Sequence, residues 1–516
     1  MHAGIELEII FLLMVITSVA MGIRYLKLPY TIALIFAGII LSFFDIFPDI
    51  RLTPQLIFHV LLPPLLFEAA FNLNFSELKE NIKPVLIYAI IGVVIAVFTT
   101  GFIINYGLNN VIGSIQIPLM ACFLFGAVIS STDPISVLAI FKELGVPKRL
   151  SLIVDGESLF NDGVSVVVYG IISAIAVGNA EFSMVHSIKE FVAVAFGGAL
   201  IGIILGLTFS KITALVDDHL IEITLTTILA YLSFIAAEHF EVSGVISVIC
   251  AGLMVGNYGS KIGMSPTTRV SVKDFWEYIA FIVNSVVFFI IGLEVNSAHL
   301  MKYLPYIFLA IVSVLIGRIV AIGILSPFIN KIDKKIGFKW QGIMVWGGIR
   351  GALAMALALA IPKSYQYREF ILVMTFGVVA FSLIVQGLSI KGLLKILKVG
   401  GRDKKLDEYE YEKGKFIASN DYFKELIKMF EDGLISKKVY DQLLEDVKDG
   451  LKTSQERIEE LAKNDNVSTY EYMSSLKRLL LKEKDAVNEA MKNGIISAVA
   501  AEKLITDINN RLIELS

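Results

Sequence analysis

Cysteine and charged residues are scarce in this sequence, and each shortage excludes a class of protein. Only 2 of the 516 residues are cysteine, which excludes a secreted disulfide scaffold. Cys122 and Cys250 both lie in apolar runs, so we expect them to pack as unpaired core residues. The formal net charge of −3 leaves no basic surplus with which to bind nucleic acid.

Charged residues are also unevenly distributed along the chain. They make up 18% of the whole sequence, against about 25% in an ordinary soluble protein. They account for about 38% of residues 401–516 but only about 12% of residues 1–400. This contrast excludes a soluble enzyme and predicts a membrane domain over residues 1–400, followed by a soluble domain over residues 401–516.

The membrane domain contains thirteen apolar runs that are long enough to cross a bilayer as a helix, which takes about 20 residues. The first run has no cleavage site, so we expect it to be retained as a helix. The sequence therefore predicts an all-α polytopic membrane protein with about 13 transmembrane helices. The runs lie at about 5–23, 28–44, 54–71, 84–106, 117–141, 150–176, 189–210, 219–237, 242–258, 275–294, 303–327, 340–361 and 369–390.

The basic residues in the loops predict how the chain is oriented. Lysine and arginine accumulate in the cytoplasmic loops of membrane proteins. Loops after odd-numbered runs contain fifteen of them, and loops after even-numbered runs contain five. We therefore expect the N-terminus outside and the C-terminal domain in the cytoplasm. The compact chain favours the plasma membrane of a prokaryote.

An acidic residue near the end of an apolar run, such as Asp155, is expected to be an anchor at the membrane interface. Five other charged residues inside these runs or at their mouths are harder to explain in that way. Each charge at the bilayer centre costs about 2.5–3.5 kcal/mol on insertion scales. One such residue is readily explained as structural, whereas five together indicate a polar site within the membrane. They are Asp133, Glu157, Asp162, Arg318 and Arg350.

Two of the runs contain residues that interrupt a helix. Pro134 removes a backbone donor in the fifth run, and the glycines of residues 347–351 weaken the twelfth run around Arg350. A pair of interrupted helices at matching positions is typical of secondary transporters built from inverted repeats. We therefore expect two inverted six-helix repeats whose two broken helices cross.

Six short segments with recognisable motifs are distributed in order along residues 1–400. They are LLPPLLFEAAFN (61–72), SSTDPISV (130–137), GESLFNDG (156–163), FWEYIAFIVNSVVFFIIGLE (275–294), GRIVAI (317–322) and GGIRGALAMALAL (347–359). Any one alone is a weak signal, but six in order are highly specific. Together they resemble the sodium/proton exchanger branch of the monovalent cation–proton antiporter superfamily, which includes the NhaP and NHE proteins.

This resemblance implies a thirteen-helix homodimer in the lipid bilayer, with a moving core domain and a dimerisation domain. It implies that Asp162 is the carboxylate that binds the cation and the proton. Asn161 precedes it where electrogenic relatives carry a second aspartate, which implies electroneutral one-for-one exchange. The other residues implied to bind the ion, a monovalent metal cation, are Asn161, Asp133, Ser158, Thr132 and, through water, Glu68.

The resemblance also implies roles for three further charged residues of the membrane domain. Glu157 would pair with Arg318 across the core. Arg350 would line the cytoplasmic funnel or stabilise the break in the twelfth run. We treat the pair as architectural, because removing one partner would leave a buried charge uncompensated.

The expected function is secondary active transport, not enzyme catalysis. Asp162 would hold either a proton or a cation, so Na⁺ or Li⁺ would be exchanged for H⁺ by alternating access, for Na⁺ and pH homeostasis. We expect no cofactor, since the sequence has no dinucleotide fingerprint and no phosphate-binding loop. The alternatives are a K⁺/H⁺ antiporter of the same fold and a cation channel or receptor, although the sequence has no pore-lining rings or filter.

The charged C-terminal domain, residues 401–516, is predicted to form short amphipathic helices separated by glycine or asparagine. These helices are expected at 420–431, 436–449, 453–463, 470–492 and 497–514. Within it, GLISKKVYDQLLEDV (433–447) aligns with GIISAVAAEKLITDI (494–508). Ser436 and Ser497 are each placed to begin a helix after a glycine turn. We expect two helical hairpins that regulate transport or stabilise the dimer, and that could bind a regulator.

Overall fold

A computed structural model describes most of the chain in eight stretches. Every regular element within them is helical, with no strand among the described residues. The chain divides into two compact units, Met1–Gly400 and Gly401–Ser516. The described stretches are residues 3–26, 30–42, 53–113, 116–178, 183–216, 218–293, 303–400 and 404–514.

The first unit contains sixteen labelled helices among its described residues. Continuous apolar sequence favours helices here, because a helix satisfies its own backbone hydrogen bonds where no water is available. They are α1 (Ala3–Leu26), α2 (Tyr30–Ser42), α3 (Leu56–Asn72), α4 (Phe75–Glu80), α5 (Ile82–Ile112), α6 (Leu119–Val128), α7 (Ile135–Leu144), α8 (Lys148–Gly178), α9 (Met184–Thr213), α10 (His219–His239), α11 (Gly244–Gly259), α12 (Pro266–Leu293), α13 (Leu304–Ile332), α14 (Phe338–Trp346), α15 (Ala352–Ala360) and α16 (Arg368–Leu397).

Seven of these described helices are long and apolar enough to cross a membrane, and several shorter ones are apolar as well. This confirms the predicted all-helical, multi-pass architecture. The count of thirteen spans stays a prediction. The seven long helices lie at Ile82–Ile112, Lys148–Gly178, Val185–Thr213, His219–His239, Thr268–Leu293, Leu304–Ile332 and Arg368–Leu397.

The helices of the first unit pack as two bundles. The first bundle contains α1 to α3 and α9 to α12, and the second contains α4 to α8 and α13 to α16. Close packing within the first bundle depends on small residues. At Gly38 of α2, for example, a Cβ atom would lie 2.9 Å from the Cα of Gly292 in α12, so the two backbones touch. The interface between the two bundles is called the seam below.

Two helices of the second bundle are interrupted where the sequence predicts. Residues 129–134 separate α6 from α7, and residues 347–351 separate α14 from α15. The two breaks meet, since the backbone N–H of Asp133 donates to the carbonyl of Ile349 at 2.7 Å. Gly351 lies directly against the Asp133 carboxylate, and a Cβ atom there would overlap it.

The second unit consists of α17 (Lys404–Glu431), α18 (Lys437–Ala462), α19 (Asp465–Lys492) and α20 (Ala498–Glu514). The aligned segments form matching turns, because Gly433 and Gly494 both adopt φ 69°, a left-handed conformation that favours glycine. These four helices correct two details of the prediction. The two helices expected at 436–449 and 453–463 are one helix, α18, which runs from Lys437 to Ala462, and Ser436 makes no side-chain capping bond among the described residues.

Candidate functional site

The predicted site residues gather around the break between α6 and α7. Thr132 and Asp133 lie in that break, and α8 runs alongside it. Four predicted residues are on α8, one is on α3, one is on α13, and one is in the second break. These seven are Glu157, Ser158, Asn161 and Asp162, then Glu68, Arg318 and Arg350.

A cavity of about 330 Å³ lies at the seam beside this break. Ser158 and Asp162 line it from α8 and Glu68 lines it from α3. Thr132 and Asp133 line it from the break. The first cavity, as it is called below, therefore brings together carboxylate and hydroxyl oxygens, the ligand type that suits a hard alkali cation.

The Asp162 carboxylate is positioned by the break itself. The Ser131 hydroxyl donates to Asp162 Oδ1 at 2.6 Å. The Asp133 carboxylate is held by its own chain, with the N–H of Ile135 donating to Oδ1 at 3.1 Å. Both acids are thereby fixed on the wall of the first cavity, each with oxygen lone pairs to spare.

Asn161 faces the break and not the first cavity. Its side-chain amide donates to the carbonyl of Ser130 and to Thr132 Oγ1, both at 3.1 Å. The Ser165 hydroxyl donates to Asn161 Oδ1 at 2.6 Å, and only 1% of Asn161 is exposed. The structure thus places Asn161, expected among the ion ligands, where it satisfies the unwound backbone and supports the site from behind.

The unwound carbonyls of the break have further partners on α8. The Ser158 hydroxyl donates to the carbonyl of Thr132 at 2.5 Å. Buried backbone oxygens freed by a helix break are costly unless they are bonded. Ser158 and Asn161 therefore explain locally how the sequence can keep α6 and α7 apart at this point.

Glu157 and Arg318 form a buried bidentate ion pair. Arg318 Nη1 donates to Glu157 Oε1 at 2.5 Å, and Nη2 donates to Oε2 at 2.7 Å. Glu157 is 1% exposed and Arg318 is 8% exposed. Arg318 Nη2 also donates to the carbonyl of Met344 at 3.3 Å, so the pair joins α8 and α13 to the end of α14.

Arg350 lies at the junction of the two breaks. Its Nη1 donates to the carbonyls of Ser130 and Ser131 at 2.8 and 3.1 Å. Its backbone N–H donates to Ser382 Oγ at 3.0 Å. A cation here complements the partial negative charge at the C-terminal end of α6. Of the two roles expected for Arg350, the geometry matches stabilisation of the helix break.

Sequence reasoning missed four polar residues that line the first cavity, which are Asn72, Ser131, Asp155 and Asn284. Asp155, expected near the membrane interface, lines it together with Asp162, and Asn284 of α12 lines it from the first bundle. The spacing was an available signal for Asp155. Residues 155, 158 and 162 lie three, four and seven positions apart, which places them on one face of a helix.

A second cavity of about 410 Å³ lies at the same seam. It is lined by residues 166–171 of α8 and by residues from 54 to 59 at the start of α3. No described residue lines both cavities. Between them Gly163 packs against Ile246 of α11, where a Cβ atom on Gly163 would lie 2.6 Å from Ile246 Cγ1. The two cavities therefore flank a tight contact next to Asp162.

Comparison with known proteins links these features to one family. Residues 9–396 match the family described as "Sodium/hydrogen exchanger, transmembrane". The chain is 40% identical over 410 residues to the low-affinity Na⁺/H⁺ antiporter NhaS1 of Synechocystis, covering 78% of this chain and 76% of that protein. It is 36% identical over 511 residues to the Na⁺/H⁺ antiporter NhaG of Bacillus atrophaeus, covering 95% and 94% respectively.

A solved structure shares the fold. The sodium proton antiporter MjNhaP1 from Methanocaldococcus jannaschii superposes with a TM-score of 0.62 at 21% sequence identity. The match covers 76% of this chain and 99% of that one. At this level of identity the likeness concerns the arrangement of helices alone.

Proposed function

The chain belongs to the sodium/hydrogen exchanger family, and from this premise we propose that it exchanges Na⁺ for H⁺ across a membrane, with Asp162 as the exchanging carboxylate. Family membership confirms the resemblance carried by the six sequence segments. The observation that carries the proposal is the position of Asp162. It lines the first cavity together with the hydroxyls of Thr132 and Ser158 and the carboxylates of Asp133 and Glu68, at the point where two helices are broken.

Exchange follows from the competition of two ions for one carboxylate. When Na⁺ binds Asp162, the proton that the carboxylate carried leaves, and when a proton returns, Na⁺ is released. Thr132, Ser158 and Asp133 complete the oxygen shell, with Glu68 contributing through water. Because Asn161 is neutral and bonded into the break, one Na⁺ replaces one H⁺, and transport is electroneutral.

The two cavities support alternating access at the seam. On α8 and α15, residues lining the first cavity precede those lining the second, whereas on α3 the order is reversed. This is the pattern of antiparallel helices with a cavity toward each end. A small rotation of the second bundle against the first would close one cavity and open the other around Asp162.

The remaining architectural assignments form part of the same proposal. The protein is a homodimer with thirteen spans in two inverted repeats, in the plasma membrane, with its N-terminus outside. Residues 401–516 form a cytoplasmic regulatory domain that binds a regulator. Transport requires no cofactor, and the protein has no enzyme activity.

Reconstitution into liposomes containing a pH-sensitive dye tests the function. Na⁺, Li⁺ and K⁺ are added in turn to wild type and to Asp162→Asn, which keeps the shape of the side chain but loses its charge. We expect proton movement driven by Na⁺ or Li⁺, absent in Asp162→Asn and unchanged when valinomycin and K⁺ clamp the voltage. Stronger movement with K⁺ would make the protein a K⁺/H⁺ antiporter, and currents without proton coupling would make it a channel.

A further inference from the structure

We propose that Asp155 is the receiving carboxylate of this transporter, which binds the arriving cation before it reaches Asp162. This inference rests on the proposed function and deepens it. It names a residue of the same cavity that governs how the cation is captured, in addition to the residues that exchange it.

Asp155 lies on the same face of α8 as the exchanging carboxylate. Asp155, Ser158 and Asp162 all line the first cavity. Seven residues of helix separate the two acids by about 10 Å along the axis. A cation that enters from the end where α8 begins therefore meets Asp155 first, and Ser158 offers an oxygen between the two acids.

Asp155 differs from the other acids of α8 in its lack of a protein partner. Glu157 is held by Arg318, and Asp162 accepts a bond from Ser131. No hydrogen bond or ion pair reaches the Asp155 carboxylate from any described residue. A carboxylate inside an apolar span needs compensation, and a cation in the cavity would supply it.

Glu68 acts together with Asp155 in this role. It lines the first cavity from α3, across the seam, and Asn72 Nδ2 donates to its Oε1 at 2.6 Å. On α12, Lys273 and Glu277 both act on Glu68 electrostatically, but they are paired with each other at 3.5 Å. Asp155 and Glu68 therefore present two negative charges of opposing bundles to the cavity, which raises the local cation concentration.

The test measures Na⁺-driven proton movement in membrane vesicles for wild type and Asp155→Asn. The vesicles are oriented so that Na⁺ is added on the side of the membrane where α8 begins. Loss of one charge about 10 Å from the exchanging site is expected to raise the KM for Na⁺ about three- to tenfold. The maximal rate should stay within about twofold. Asp155→Glu should restore the KM, which a purely structural role for the aspartate would not predict.

Asp274→Asn is the matched control, because Asp274 is exposed on α12 and does not line the cavity. Its KM should equal that of wild type. An unchanged KM in folded Asp155→Asn, or no recovery in Asp155→Glu, would overturn the inference. If Asp155→Asn fails to fold, as judged by size-exclusion chromatography, Asp155→Ser replaces it, and misfolding of both would assign Asp155 a structural role instead.

The failure of this inference can be told apart from failure of the proposed function. Wild type that exchanges Na⁺ for H⁺, with Asp162→Asn inactive and Asp155→Asn normal, refutes only the role of Asp155. Wild type that exchanges no ion at all refutes the function, and the role of Asp155 falls with it.

Discussion

The N–H of Asp133 donates to the carbonyl of Ile349 at 2.7 Å, and this bond joins the two interrupted helices at their breaks. Each break frees backbone groups that cannot remain unpaired inside a membrane. Pairing one break with the other satisfies a donor and an acceptor at once. It also fixes the Asp133 carboxylate beside Gly351, so the ion site depends on the geometry of both helices.

We expect Gly351→Ala to abolish or strongly reduce transport. The added methyl group would overlap the Asp133 carboxylate, and relieving such overpacking costs about 1–3 kcal/mol. Ion-driven proton movement in liposomes measures the loss. Gly323→Ala on α13 is the control, since a Cβ atom there meets nothing within 4 Å, and equal activity of both variants would contradict the packing argument.

Glu157→Gln should destabilise the protein strongly. It would leave the Arg318 guanidinium buried without its counter-charge, which costs about 3–5 kcal/mol. Thermal unfolding in detergent measures the change. Glu143→Gln, which removes one partner of the more exposed pair with Lys391, should change stability by no more than about 1 kcal/mol. A similar small effect in both variants would refute the structural role of the buried pair.

Exchanging the charges, by Glu157→Arg with Arg318→Glu, should restore folding more than transport. The swapped pair keeps its charge balance, but the contact of Arg318 with the Met344 carbonyl is lost. Size-exclusion profiles and ion-driven proton movement together distinguish the two properties. A swap that folds no better than Glu157→Gln alone would show that the pair contributes more than charge balance.

The sequence predicts the breaks because they depend on local chemistry. Pro134 cannot donate a backbone hydrogen bond, and the glycines around Arg350 weaken a helix in any context. The side chains that bond to the backbone of the breaks cannot be predicted in this way. That Asn161 bonds the carbonyl of Ser130 depends on how α8 is rotated against α6, and this is decided by packing between segments distant in sequence.

Two predictions made from local sequence pattern were wrong, because tertiary packing decides those features. Gly450 was expected to end a helix, but α18 continues from Lys437 to Ala462, because glycine inside a helix costs only about 1 kcal/mol. Asp155 was assigned to the interface from its place near the start of an apolar run. Its spacing to Ser158 and Asp162 places it on their face of α8, but the sequence does not show that α3 faces them across a cavity.

Asn161→Asp tests two different roles for Asn161. The family resemblance implies that Asn161 sets the charge of transport, whereas the structure indicates that it supports the helix break. If Asn161 only sets the charge of transport, the variant should exchange ions electrogenically. The structure instead predicts destabilisation of about 1–3 kcal/mol, because a carboxylate would face the carbonyl of Ser130 in place of the amide that now donates to it. Thermal unfolding and the voltage dependence of proton movement decide between them, and a stable, voltage-sensitive variant would contradict the structural expectation.

The second unit should lose stability at alkaline pH through Tyr409. Burial raises the pKa of Tyr409 above its usual range, and Glu471 raises it further. The folded state therefore favours the protonated phenol, so its contribution is complete below about pH 10 and is lost as the pH rises further. Limited proteolysis of the full chain at pH 8 and pH 11 should show faster cleavage after residue 404 at pH 11, and less so in Tyr409→Phe. Equal acceleration in both proteins would contradict this assignment.

Gly163→Ala tests whether the second bundle moves along the seam. Gly163 lies between the two cavities, and its missing side chain lets Ile246 pack against α8. If the bundles slide here during each cycle, the added methyl group raises the free-energy barrier of that step. An increase of about 1–2 kcal/mol slows exchange about five- to thirtyfold. The maximal rate should fall while the KM for Na⁺ changes little, and adding Ile246→Ala should recover the rate by returning the lost space. Gly178→Ala, on the same helix with open space around it, should behave like wild type. A slow Gly163→Ala that Ile246→Ala does not recover would place the moving contact elsewhere on the seam.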